Sequence, residues 1–214
     1  MLLLYCMAED VADAPMPPRG VRGAQVQATR KNELACYFSE YETFPGGSAD
    51  ELKQDALDFH WTVNHVFQRQ GVIPFRFPTL MAEGNALEIF LEKHSAEYLA
   101  DLKRLRDQVQ MEVRLTAMPA EVPSSGTGTA YLKAKFDAAQ KVVESENLMK
   151  SAAQAEWKQR GNRYFALIPR GAVAEFRDKM AGLGQATMRV SGPWPPTEFV
   201  NCYPEAALDQ EQKL

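Results

Sequence analysis

The chain has 214 residues and a formal net charge of −4, from 24 Lys and Arg against 28 Asp and Glu. A pI near 5.5 leaves no global basic surface to attract a phosphate backbone, which argues against a nucleic-acid partner. At 45% hydrophobic and 24% charged residues, the composition excludes a disordered or collagen-like chain. The length suits one large domain or two small ones with a real core.

Cys6, Cys36 and Cys202 are too few and too scattered for a disulfide framework, and read as small buried hydrophobes in a reducing compartment. The apolar start, Met1 to Met7, lacks a basic n-region and is closed at once by Glu9 and Asp10. It predicts a buried strand over residues 2–8 rather than a signal peptide, and it is far short of a membrane span. The expectation is a cytoplasmic protein.

Residues 13–23, with Pro15, Pro17, Pro18, Gly20 and Gly23, predict a surface loop. Strand candidates follow at 24–29 and 34–39, joined by Arg30-Lys31-Asn32-Glu33 as a hairpin turn. After Phe44-Pro45-Gly46-Gly47, Ser48 or Asp50 caps a helix running to about Gln70, with Leu52, Ala56, Phe59 or His60, Val63, Val66 and Phe67 as its apolar stripe. Residues 72–77 predict a strand. Pro74 removes a ladder donor there, so the strand belongs at an edge or a bulge.

Residues 85–107 read as a helix, and 108–116 alternate as a half-buried strand. Residues 118–129 are rich in Pro, Ser, Gly and Thr and predict a loop. From Tyr131 to Arg160 runs a helical tract striped by Leu132, Phe136, Ala139, Val142 with Val143, Met149, Ala152 with Ala153, and Trp157. Unbroken it would reach roughly 45 Å, and the weakening at Ser145-Glu146-Asn147 predicts a kink or break. A strand at 163–168, a short helix to about 181 and a strand at 186–190 complete the pattern, before Ser191-Gly192-Pro193-Trp194-Pro195-Pro196 and a polar tail. Irregular alternation of strands and helices in both halves predicts an α+β protein of two α+β domains, 1–108 and 109–214. No internal sequence repeat is visible.

Chemistry-bearing motifs are sparse. Ser124 to Thr129 sits between a strand and a helix but lacks a Gly-Lys-Ser/Thr ending, so it reads as a connector more than a phosphate cradle. His60 and His65, five apart on one helix, project roughly 140° from each other and cannot share an ion, and His94 lies on another element. No Gly-x-Ser-x-Gly elbow is present, and Glu83, Glu88, Glu92 and Glu97 read as solvated helix charge. No catalytic residue, cofactor or metal is expected. An enzyme would need folding to gather His60, Arg76 and a carboxylate.

Aromatic and proline-rich segments stand out instead. Trp194 within the Gly-Pro-Trp-Pro-Pro run is either a plug for the C-terminal core, the commoner arrangement, or an interface anchor.

These segments resemble a known family. Leu4-Tyr5, Ala56-Leu57-Asp58-Phe59-His60, Val72-Ile73-Pro74-Phe75-Arg76-Phe77, Ser125-Gly126 before Tyr131-Leu132, and Ser191 to Pro196 with Phe199-Val200 match the gas vesicle protein F/L family in order and spacing. The resemblance covers nearly the whole chain, and the IPFRF and GPWPP segments are its specific part. It implies a C-terminal domain with a modified ferredoxin-like fold and long helices. It further implies a non-enzymatic accessory or minor structural role, with the small hydrophobic main shell protein and other accessory proteins as partners. Pro78 before Thr79, Cys6 after the first aromatic, and Thr197-Glu198 before Phe199 depart from the family pattern and mark a divergent member. Arg76 and Phe77 beside Pro74, and Trp194 and Phe199 near the tail, are the candidate protein-binding residues. The rival reading is a small-molecule-binding or regulatory α+β module on the same fold.

Overall fold

The computed structural model describes residues 1–14, 16–44, 46–82, 84–115, 128–183 and 188–202. They form two antiparallel four-stranded sheets, each with helices, so the architecture is α+β as expected. Packing divides the chain into two units, Met1–Asp107 with the segment from Pro195 onward, and Gln108–Trp194. The sequence-based division gave everything after 108 to the second domain. Packing returns 195–202 to the first.

In the first unit, β1 (Leu2–Glu9) lies between β3 (Leu34–Glu40) and β4 (Val72–Met81), and β2 (Gln27–Lys31) pairs with β3. The order β2-β3-β1-β4 places β4 at an edge, where Pro74 was expected. Leu2 to Ala8 are all buried, which an apolar run without alternation requires. Two helices, α1 (Ala49–Phe67) and α2 (Gly84–Leu105), both pack against β1. Ser48 begins α1 through a capping box with Glu51. The buried face of α1 carries Phe59, Val63, Val66 and Phe67, while Leu52, expected in the stripe, is exposed. The β2–β3 turn is made by Asn32 and Glu33, both at positive φ, as a two-residue hairpin requires.

Tyr5 organises this unit. Its ring packs on Phe59 at 5.3 Å, and its hydroxyl donates to Ser39 Oγ at 3.0 Å and accepts from the Val21 N–H at 2.9 Å. Only glycine fits at position 20, because a Cβ there would lie 2.2 Å from the Tyr5 hydroxyl oxygen. Beside this cluster, Arg22 donates through two nitrogens to the buried Asp55 carboxylate, at 2.9 and 2.7 Å.

The second unit runs β5 (Gln108–Leu115), α3 (Gly128–Ala152), β6 (Glu156–Arg160), β7 (Arg163–Pro169), α4 (Val173–Gly182) and β8 (Met188–Trp194), with strand order β6-β7-β5-β8. This β-α-β-β-α-β sequence with that order is the ferredoxin-like topology. Both helices touch one face of the sheet: Glu146 of α3 accepts from the Tyr164 hydroxyl at 2.8 Å, and Phe176 of α4 stacks on Trp157 at 6.0 Å. Phe176, Met180 and Met149 are buried there, each worth about 1.5–3 kcal/mol of apolar transfer.

Two expectations fail here for local reasons. Helix α3 runs on through residues 145–147, where Ser145 is buried and satisfies its hydroxyl within the helix, donating to the Lys141 carbonyl at 2.7 Å. Residues 156–160 form a strand rather than the end of a long helix, since Gly161, at φ +61°, closes a tight hairpin to β7.

The returning tail is held by one buried carboxylate. Asp101 on α2 accepts from Arg104 at 2.8 Å, from the Asn201 N–H at 2.6 Å, from Asn201 Nδ2 at 2.9 Å and from the Cys202 N–H at 3.1 Å. Burial alone would raise its pKa, but these donors outweigh burial and hold the carboxyl below its usual range. Its stabilisation is therefore full above the unfolded-chain value near ~4 and lost as pH falls through the lower folded value. Urea melts of Asp101→Ala are expected to show a loss of roughly 2–4 kcal/mol at neutral pH. The gap from wild type should close as the pH drops below ~4.

Candidate functional site

Both specific sequence segments fall at bulged edge strands. In the first sheet, Leu4 pairs with Thr79 and Cys6 with Pro74, so the single residue Tyr5 faces the four residues Phe75 to Pro78. The excess chain is pushed out of the ladder, which re-aims side chains and ends pairing along that stretch. In the second sheet, Gln110 pairs with Trp194 and Glu112 with Ser191, so Met111 faces both Gly192 and Pro193. The Phe77–Pro78 and Gly192–Pro193 peptides are cis. Residues 191–194, expected to follow the last strand, therefore belong to it.

At the first bulge, Arg76 is exposed and its carbonyl accepts from the Thr79 hydroxyl at 2.7 Å. Phe77 is half-buried, 5.5 Å from Phe59 and 6.2 Å from Phe44, and so extends the Tyr5–Phe59 cluster to the surface. At the second bulge, Arg177 donates to the Gly192 carbonyl. Trp194 is half-buried at the end of β8, its Nε1 3.5 Å from Ser191 Oγ. Phe199 is only 1% exposed, and its carbonyl accepts from Arg104. Its ring is thus part of the first unit's core. Of the four expected contact residues, Arg76 presents surface, Phe77 and Trp194 do so in part, and Phe199 does not.

Sequence reasoning missed a further feature on α3. Leu132, Phe136, Ala139 and Val143 recur at i, i+4, i+7 and i+11 and were expected to face a core, yet all are exposed, Leu132 at 66% and Phe136 at 69%. At 100° per residue they fall within roughly 60° of arc. The buried Ser145 and Met149 lie on another side of the helix. The repeat was visible in the sequence; what it could not reveal is that the described residues leave it exposed.

The three histidines lie apart, each with a local neighbour. The Nε2 of His60 pairs with Asn64 at 2.8 Å, His65 stacks near Trp61 at 5.6 Å, and His94 sits 3.7 Å from Glu97. Among the described residues, no group of three or more His, Cys, Asp or Glu is placed to hold a metal. Burial pushes the Cys6 and Cys36 thiols up, and burial with the Asp101 carboxylate pushes Cys202 up to about 12, so all three favour the inert thiol form. Residues 124–127 of the Ser/Gly connector lie outside the described residues. Among the described residues, no helix is long and apolar enough to cross a membrane.

The ferredoxin-like second unit, the like-ordered first sheet and the two bulged edges define a two-sheet α+β protein. The family model for gas vesicle synthesis protein GvpL/GvpF matches residues 1–165, and the chain belongs to that family. Its fold is similar to that of the gas vesicle protein GvpF from Anabaena sp. PCC7120, with a TM-score of 0.68 at 11% identity, covering 94% of this chain and 96% of that one. The GvpF structure from Microcystis aeruginosa is similar too, with a TM-score of 0.65 at 11% identity and coverage of 94% and 99%. No curated protein matches the chain.

The tightness of the second bulge is testable. Gly192 has φ +115°, and a Cβ there would lie 2.9 Å from the Gln110 carbonyl oxygen and 3.0 Å from Met111 Sδ. Gly192→Ala is expected to cost about 1–3 kcal/mol in urea unfolding. Gly171→Ala, where a Cβ meets nothing within 4 Å, should cost far less.

Proposed function

We propose that this protein acts in gas vesicle formation as a non-enzymatic accessory or minor structural protein, binding the hydrophobic main shell protein and other accessory proteins in the cytoplasm at the vesicle. Family membership supports the setting, and the bare α3 stripe is the observation that carries the binding role. A contiguous run of exposed apolar side chains costs solubility and is retained where a partner covers it. Leu132, Phe136 and Val143 would each contribute about 1.5–3 kcal/mol if buried against an apolar subunit. A helix offering i, i+4, i+7 and i+11 anchors suits a partner whose own surface is apolar and aggregation-prone.

The bulged edges serve a second purpose in this reading. Pro74, Pro78 and Arg76 on β4, and Arg189 and Pro193 on β8, interrupt both edges, so they resist indiscriminate strand addition by a sticky partner. Arg76, Phe77 and Trp194 then border contacts to other accessory proteins, while Phe199 acts through the fold. The two packed units are taken as separate domains meeting near residue 108.

Co-expression of the tagged protein with the main shell protein tests this reading. Wild type is expected to capture the shell protein and keep it soluble. Phe136→Ser with Leu132→Ser, on an exposed helix face, should fold normally and lose most of the capture. Retained capture by a folded variant would move the contact away from α3, and no capture by wild type would sink direct binding.

A further inference from the structure

The sheet of the second unit carries a line of arginines, one on each strand. Arg160 of β6 pairs with Arg163 of β7, Arg163 pairs with Arg114 of β5, and Arg114 pairs with Arg189 of β8. Directly paired residues share a face, so one guanidinium from every strand stands in a single row across the sheet. The next row holds Lys158, Phe165, Glu112 and Ser191. This face is opposite the one bearing Tyr164 and Trp157, which α3 and α4 contact. All four arginines are exposed.

Like charges directly opposite each other weaken a sheet, and Glu112 offsets this for only Arg114 and Arg163 within the two rows. Residues 108–194 hold 12 Lys and Arg against 8 Asp and Glu, a net charge of +4 within a chain of −4. The positive charge is therefore local. Glu112 is the one carboxylate in these two rows. It accepts from Arg163 at 2.8 and 2.7 Å and from Arg114 at 3.0 Å, and the Arg163 bonds first, then Arg114, keep it ionised below the usual carboxylate range. The Arg163 guanidinium also lies 5.1 Å above the Phe165 ring, which is itself buried. The Arg114 and Arg163 guanidiniums are thus held in place before any partner arrives, which lowers the ordering cost of binding.

We propose that this arginine row is a docking surface for an α-helix of a partner protein bearing a stripe of carboxylates. Three interstrand steps of about 4.8 Å make the row about 14 Å long. Carboxylates at i, i+3, i+7 and i+10 of a helix span about 15 Å on one face, so each meets one arginine. Bidentate guanidinium–carboxylate pairing gives the contact register as well as affinity. The surface is distinct from the apolar α3 stripe and stands whether or not that stripe binds a shell protein.

The test uses the full chain and a fluorescent alanine-based helical peptide with Glu at i, i+3, i+7 and i+10. Anisotropy should report binding that weakens with added salt. An isomer with the same four Glu spread around the helix should bind at least about tenfold more weakly. The double variant Arg160→Glu and Arg189→Glu should lose about tenfold or more for the striped peptide and gain binding to the matching Lys peptide. Arg160→Gln with Arg189→Gln replaces it if charge reversal impairs folding, and should show the loss alone. Absence of wild-type binding, equal binding of the spread isomer, unchanged binding by a folded variant, or tighter binding to duplex DNA would each overturn the proposal.

Discussion

The central strand of each sheet faces an edge strand that has too many residues for it. Tyr5 meets four residues of β4, and Met111 meets two of β8, and in both places the surplus must leave the ladder. The rest of the structure depends on how that surplus is accommodated. In the first unit the Tyr5 ring packs on Phe59, which in turn meets Phe77 of the bulge, and the Tyr5 hydroxyl forces glycine at position 20. In the second, Gly192 supplies a backbone that approaches the Gln110 carbonyl more closely than a side chain allows.

The correspondence goes further than the bulges. Taking the strands in chain order within each unit, both sheets run second, third, first, fourth. Each ends in an edge strand with a proline and an aromatic at the irregularity, Phe77 with Pro78 and Pro193 with Trp194. The units differ between their first and second strands: the second unit inserts the long helix α3 there, whereas the first has a loop and one short 3-10 turn. That inserted helix is where the bare apolar stripe lies, so the feature that carries the functional reading belongs to the unit in which the common plan is complete.

Much of this was legible in the residues. Pro74 announced an edge or a bulge, Arg30-Lys31-Asn32-Glu33 a hairpin turn, and Ser48 or Asp50 the start of α1, because each rests on one local rule. Three features were not. The five residues 156–160 are too few to separate a period of 2 from one of 3.6, and Trp157 continued the helical stripe by coincidence. Gly192 and Pro193 read as breakers because a bulge uses the same residues as a chain end. The apolar repeat at Leu132, Phe136, Ala139 and Val143 was visible, but periodicity marks a face without saying whether anything covers it. The arginine row was hidden more deeply, since Arg114, Arg160, Arg163 and Arg189 meet only through strand register.

The central claim is that the exposed face of α3 is where a hydrophobic shell subunit is held. A photo-reactive phenylalanine placed at position 136, compared with one at the exposed Trp61 of the first unit, addresses this in a cell making the shell protein. The account predicts a covalent adduct with the shell subunit from position 136 and little or none from position 61. No adduct from 136, or equal adducts from both, would contradict it.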